Sequence, residues 1–319
     1  MGKNDKVGEI INSEHRSYEL MKDLQLGIRW SVSKMTPTPA SKMDLDNAAF
    51  AAKVKVAFPH EGSRETPPHK FSDFRWKDYC PKVFGKLRSL FVVDPGEYML
   101  SICGEQALRE LSSPGKSGAL FYISHDDRYL IKTMRRNEMK TFISMLPHYF
   151  AHVQSNPHTL VTKFYGLYRI KLHSKQTSNR KVRTCFGAMC VRWHTPFEAH
   201  THMCCVLQIR FVVMGNVFNA VVPIHQKYDL KGSTHGRFTK DKSKLSIWKD
   251  CDLDVELRLM DDWKDRLDRQ LSADAGFLNS QHVMDYSLLM GIHYKNREQV
   301  RAALPCRPSV ALCTAGAEV

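Results

Sequence analysis

Residues Ala119 to Met134 read ALFYISHDDRYLIKTM. Two short aromatic and β-branched runs, Leu120-Phe121-Tyr122-Ile123 and Tyr129-Leu130-Ile131, flank the polar stretch Ser124-His125-Asp126-Asp127-Arg128. That composition predicts a β-hairpin turning at Asp126-Asp127. Downstream, apolar residues recur at helical spacing over Glu138 to Ala151, and strand-like runs follow at Thr159 to Ile170 and Phe211 to Met214. Leu253 to Leu271 reads as a charged amphipathic helix. Phe277 to Leu289 is a mostly apolar segment carrying one acid, Asp285, which reads as buried. Upstream, apolar spacing suggests an amphipathic helix over Trp76 to Leu90 and a shorter one over Pro95 to Cys103. The Pro-rich segments Thr36 to Ala40 and Phe58 to His69 read as linker or surface loop. A hairpin, a helix, strands and then mostly helices describe an α+β chain with a sheet-rich first lobe and a helical second one.

Composition bounds the rest. The chain has 319 residues, 43% hydrophobic and 25% charged, enough to bury a core without disulfides or metal. A net charge of +14 points to a polyanionic partner: nucleic acid, an anionic membrane or a phosphorylated substrate. Met1 to Asn12 lacks a secretory apolar core, and no apolar run reaches the roughly 20 residues needed to span a bilayer. Neither end carries a myristoylation or prenylation signal. Nine scattered cysteines read as reduced thiols, so a cytoplasmic protein is expected, with any membrane contact peripheral. Nucleic acid is the least supported partner, because no helix-turn-helix or aromatic-interleaved basic motif occurs.

Four constellations could carry chemistry. Gly115-Lys116-Ser117-Gly118 precedes the hairpin, but a P-loop needs glycine where Glu110 stands and a helix where a strand follows. A flexible loop there can lay backbone N–H groups over phosphates, and an ordinary tight turn has the same composition. Lys132 ends an apolar strand behind that loop, where a kinase places its phosphate-neutralising lysine, and Glu138 on the next helix could pair with it. Asp285, in Met284-Asp285-Tyr286-Ser287-Leu288-Leu289, could orient a hydroxyl proton in phosphoryl transfer or simply cap a helix. Tyr228 to Thr234 (YDLKGST) lies in a window from His225 to Lys249 with seven Lys/Arg and two acids, suited to a phosphorylated head group.

Several strings now resemble one family. They are LGIRWSVSK (26–34), FRWKDYCP (74–81), DPGEYMLSICG (94–104), ALRELSSPGKSG (107–118) and DRYLIKTM (127–134). LVTKFYGL (160–167), FVVMGN (211–216), YDLKGST (228–234) and MDYSLL (284–289) follow in order. The sequence resembles the phosphatidylinositol phosphate kinases, most closely the plant phosphatidylinositol 4-phosphate 5-kinases. The resemblance implies an α+β, two-lobed, kinase-like lipid-kinase fold with an antiparallel-sheet N-lobe. It also implies transfer of the γ-phosphoryl group of ATP, with Mg²⁺, to the inositol 5-hydroxyl of phosphatidylinositol 4-phosphate. By the same resemblance, Asp285 and Lys132 are the catalytic pair. Gly115, Lys116, Ser117 and Gly118 form the phosphate loop, Glu138 partners Lys132, and Val213, Met214 and Asn216 hold adenine. Lys231 and Arg237 contact the substrate. An anionic membrane at the cytoplasmic face of the plasma membrane and a homodimer are the implied partners.

The sequence departs from the family in two places. Thr184 to Arg210 is expected to be an insertion rather than a zinc site, although it holds four cysteines (Cys185, Cys190, Cys204, Cys205) and three histidines (His194, His200, His202). Excising it would join Arg183 to Phe211. The resemblance fades near His293, so the C-lobe is expected to be incomplete and the metal-binding acid of the family is expected beyond this chain. The expected organisation is therefore an N-terminal segment (1–45), an N-lobe (46–216), a partial C-lobe (217–294) and an unmatched tail (295–319). The rival expectation is a catalytically dead form that binds anionic phosphoinositide membranes.

Overall fold

A computed structural model describes residues 8–35, 45–106, 108–111, 119–173, 206–240, 246–254, 256, 259–294 and 309–316. Glu9–Ile10 (β1) leads into a long helix, Tyr18–Met35 (α1), then Asn47–Ala51 (α2) and the antiparallel pair Lys53–Phe58 (β2) and Phe74–Tyr79 (β3). Helices Pro81–Leu90 (α3) and Pro95–Cys103 (α4) follow, then strands Arg109–Leu111 (β4), Phe121–Ile123 (β5) and Tyr129–Met134 (β6). Helix Arg136–Ser155 (α5) precedes the long strands Phe164–His173 (β7) and Val206–Gly215 (β8). These eight strands form one antiparallel sheet in the order β1-β4-β5-β6-β8-β7-β3-β2.

Period-two alternation explains the layers. Ile131, Tyr168, Ile170, Phe211 and Val213 face one side, where α1 stacks Leu20, Leu24, Ile28 and Val32 at four-residue spacing. Leu167 and Val212 face the other side and meet Phe84 and Leu87 of α3 and Phe142 and Leu146 of α5. Each buried apolar side chain contributes roughly 1.5–3 kcal/mol. Gly27 lets α1 approach the sheet: a Cβ there would stand 2.2 Å from the ring of buried Trp76. Alanine favours helices by about 1 kcal/mol over glycine, but that clash with a packed indole outweighs the preference.

The hairpin forms as the sequence predicts, with Asp127 in the left-handed region (φ 63°) at its turn. Helices over 95–103 and 136–155 match expectation closely. The helix expected from Trp76 is corrected: 74–79 is strand β3, and the helix starts at Pro81. A proline has no N–H for the strand ladder and favours a first helical position, while Cys80 breaks the direction at φ 49°. The end of the segment expected as an insertion is ordered as strand. Val206 to Arg210 lies within β8, registered against His173 to Arg169 of β7, with Ile209 packed on the sheet's first core. The cysteines and histidines of that segment lie outside the described residues.

Past residue 216 the expected helical lobe is instead built around a second sheet. Strands Gln226–Leu230 (β9), Ile247–Lys249 (β10), Ser287–His293 (β11) and Ser309–Gly316 (β12) are ordered β10-β9-β11-β12. One long helix, Asp261–Ser280 (α6), joins β10 to β11, beginning eight residues later than the spacing suggests. Two aspartates in its first turn complement the helix dipole, and left-handed His282 (φ 55°) ends it. The tail contributes β12, paired antiparallel to β11.

Candidate active site

Lys132 is fixed by its strand. Tyr129 and Ile131 bury into the first core, so Lys132 stands on the opposite face, between Phe121 of β5 and Val212 of β8. Its ammonium lies 5.7 Å from the Phe121 ring centroid. Among the described residues no carboxylate reaches ion-pair distance of Lys132. The expected pair with Glu138 is not formed: Glu138 Oε2 accepts the Arg135 N–H at 2.6 Å and caps α5. A cap three residues away closes a small loop, which a strand lysine must outcompete.

Val213 and Met214 sit at the end of β8 against Ile131 and Leu130, Val213 buried on the first face and Met214 packed on the second. Asn216 grips the hairpin: its N–H donates to Arg128 O (2.9 Å) and its Nδ2 to Asp127 O (2.7 Å). Its side-chain oxygen accepts from Phe218 N–H at 3.1 Å. The phosphate loop, Gly115 to Gly118, lies outside the described residues.

Two other sequence motifs meet through strand register. In the antiparallel β9–β11 pair, Leu230 faces Leu288, so the end of YDLKGST lies beside the start of MDYSLL. Lys231 Nζ there donates to the backbone oxygen of Asp285 at 3.2 Å. Asp285 itself is exposed and left-handed (φ 57°), not buried as the apolar segment suggests. A carboxylate in water needs no partner, and the apolar neighbours serve the loop: Val283 and Tyr286 pack on the second core, with Val212 and Met214. Lys132, the end of β8 and Asp285 thus ring one hydrophobic cluster.

An expected substrate contact, Arg237, is drawn inward. Its Nε donates to Asp250 Oδ2 at 2.7 Å, and an Nη donates to Asp229 O (2.5 Å) and Oδ1 (3.2 Å). Asp250 is a residue the sequence reading missed. Its Oδ1 accepts the N–H groups of Lys231 (2.8 Å), Gly232 (2.8 Å) and Ser233 (3.4 Å). Gly232 meets nothing where a Cβ would stand, but its φ of 69° favours glycine. Burial pushes the Asp250 carboxyl up, while Arg237 and the amides of Lys231 and Gly232 outweigh it and hold it below the usual range.

The family model for phosphatidylinositol-4-phosphate 5-kinase matches residues 102–310, from the end of α4 to the start of β12. The chain belongs to the phosphatidylinositol-4-phosphate 5-kinase family. It is 46% identical over 306 residues to phosphatidylinositol 4-phosphate 5-kinase 6 of Arabidopsis thaliana, covering 94% of this chain and 38% of that relative. Phosphatidylinositol 4-phosphate 5-kinase 1 of Oryza sativa subsp. japonica is 43% identical over 310 residues, covering 94% of this chain and 35% of that relative. The chain therefore spans little more than a third of the length of these relatives.

In this kinase-family chain a second missed acid joins the lobes. Asp274 of α6, fully buried, accepts from Thr159 Oγ1 (2.7 Å), Leu160 N–H (2.7 Å) and Gln270 Nε2 (2.9 Å). His152 Nε2 of α5 lies 2.7 Å from the same carboxylate, and its ring stacks on Phe277 with centroids 4.5 Å apart. An acid every few residues along a charged helix hides such a residue from sequence inspection.

Proposed function

We propose that this chain is the catalytic region of a phosphatidylinositol 4-phosphate 5-kinase, moving the γ-phosphoryl group of ATP to the inositol 5-hydroxyl. The β9–β11 register carries this reading, because it sets Lys231 against Asp285 beside the core that supports Lys132. In this reading Lys132 neutralises nucleotide phosphate charge, Asp285 orients the attacking hydroxyl and Lys231 meets a phosphate near the transfer point. Among the described residues no group of three His, Cys, Asp or Glu side chains could cage a metal. Kinase magnesium is held by one or two carboxylates together with nucleotide phosphates, so no residue here is assigned to it alone.

Labelled ATP and vesicles containing phosphatidylinositol 4-phosphate test the activity. Lys132→Met is expected to lower transfer by about 10²–10³-fold. Equal background from wild type and variant would end the claim.

A cation ladder supports a membrane as the second partner. Lys55, Lys77, Arg169 and Arg210 are registered side by side across β2, β3, β7 and β8, with Arg75 and Lys171 on the next rung. They share one sheet face, and no acid occupies those positions. Like charges directly opposed destabilise a sheet. Burial and the neighbouring cations lower the Lys77 ammonium. An anionic leaflet relieves that repulsion, which favours the cytoplasmic face of a membrane; no described helix is long and apolar enough to cross one. With phosphatidylserine vesicles, Lys55→Ala combined with Lys77→Ala should weaken co-sedimentation about 30-fold, at about 1 kcal/mol per cation. Binding that ignores both the substitutions and added salt would remove the ladder from the reading.

A further inference from the structure

The loop after β9 is a row of backbone donors whose anion is supplied by the protein itself. Consecutive N–H groups from Lys231 to Ser233 converge on Asp250 Oδ1, a concavity of the kind that elsewhere binds phosphate. The second carboxylate oxygen is engaged by Arg237, which reaches on to Asp229 in β9. Asp250 opens a short 3-10 turn directly after β10, which runs parallel to β9. The carboxylate therefore ties β10, the loop and the strand together at one point. With its amides occupied, the loop offers a phosphate the Lys231 ammonium, its one cation, and that side chain already reaches Asp285 O.

We propose that Asp250 is a positioning residue for phosphoryl transfer, holding the 231–233 loop so that Lys231 stays against the Asp285 loop. The inference rests on the phosphoryl-transfer reading above. Asp250 touches no substrate; it acts through Lys231. Truncation to alanine frees three amides and leaves Arg237 held by Asp229 alone, so the loop loses its fixed course. Displacing a transfer-site group by about 1 Å costs on the order of 10²-fold in rate.

A double-substitution cycle in the vesicle assay tests this on the full chain. Asp250→Ala is expected to lower kcat by about 10²-fold with little change in KM for ATP. Lys231→Met is expected to lower kcat comparably, and the double variant should be no worse than Lys231→Met alone, because the two share one route. Asp250→Asn keeps an acceptor for the amides but turns donors towards Arg237, and should recover part of the rate. Additive losses, or no loss in Asp250→Ala, would overturn the proposal. Hydrogen exchange reads the geometry without activity. The amides of 231–233 should lose protection in Asp250→Ala while the melting temperature holds, and unchanged protection would also overturn it. A wild-type chain that is silent in the assay yet shows this exchange change would fail the kinase reading and not the positioning one.

Discussion

Asp274→Ala is expected to destabilise the chain by about 3–5 kcal/mol, the loss typical when one partner of a buried charge network is removed. The Leu160 amide would be stranded in a dry interior, and the Thr159 hydroxyl and His152 Nε2 would be left with little beyond their 3.3 Å contact with each other. Each unsatisfied group costs roughly 1–3 kcal/mol. The damage would not stay local. α6 carries Phe277 and Leu278 into the second core and leads directly to the loop holding Val283, Asp285 and Tyr286. Urea denaturation should show a lower midpoint with an unchanged slope. Asp274→Asn should lose less, since one acceptor oxygen survives. A loss below about 1 kcal/mol for the alanine variant would mean that α6 is held by its apolar contacts alone.

Stability should also fall as pH rises from about 5 to 8, and Asp23 should be the main cause. Asp23 lies on α1 with no exposure, and neither carboxyl oxygen has a partner. Burial first, and the charge of Glu19 second, push its carboxyl from 3.8 to about 8. Asp78 is raised to about 7, again by burial, against the opposing effects of Ser31 and Arg88. A group whose folded value lies above its unfolded value keeps its proton in the native state and loses it on unfolding. Its stabilising contribution is complete below about pH 4 and drains away as pH climbs to the folded value. At about 1.4 kcal/mol per pH unit, Asp23 alone withdraws on the order of 5 kcal/mol. Asp23→Asn keeps the shape of the protonated acid and removes the titration. Thermal melts should show the variant close to wild type at pH 4 and several kcal/mol more stable at pH 8. Parallel pH profiles for the two proteins would refute this assignment.

Much of the N-lobe was legible in residue order because its signals are local. The 119–134 hairpin, the 95–103 helix and the 136–155 helix depend on turn residues, caps and periodicity within a few positions. The strand-to-helix switch at Pro81 is a local signal too, because proline ends a strand ladder and suits the first turn of a helix. The start of β8 was available in the alternation of Leu207, Gln208, Ile209 and Arg210. The second lobe was misread because its strands are short and pair across long gaps, which a window of fifteen residues does not see.

The same division runs through the site. The sequence alone determined the candidates for chemistry: a strand lysine at 132, the YDLKGST loop and the acid of MDYSLL, along with the excess of positive charge. Only the tertiary structure decided which of them meet. The β9–β11 register joined Lys231 to Asp285, the α5 cap took Glu138 away from Lys132, and Asp250 with Asp229 took Arg237. It also lined up the cations of four strands that lie far apart in the chain. Residue identity states what a group can do. Hydrogen bonds and ion pairs reach only about 3–4 Å, so its actual partner is set by the fold that brings distant segments within that range.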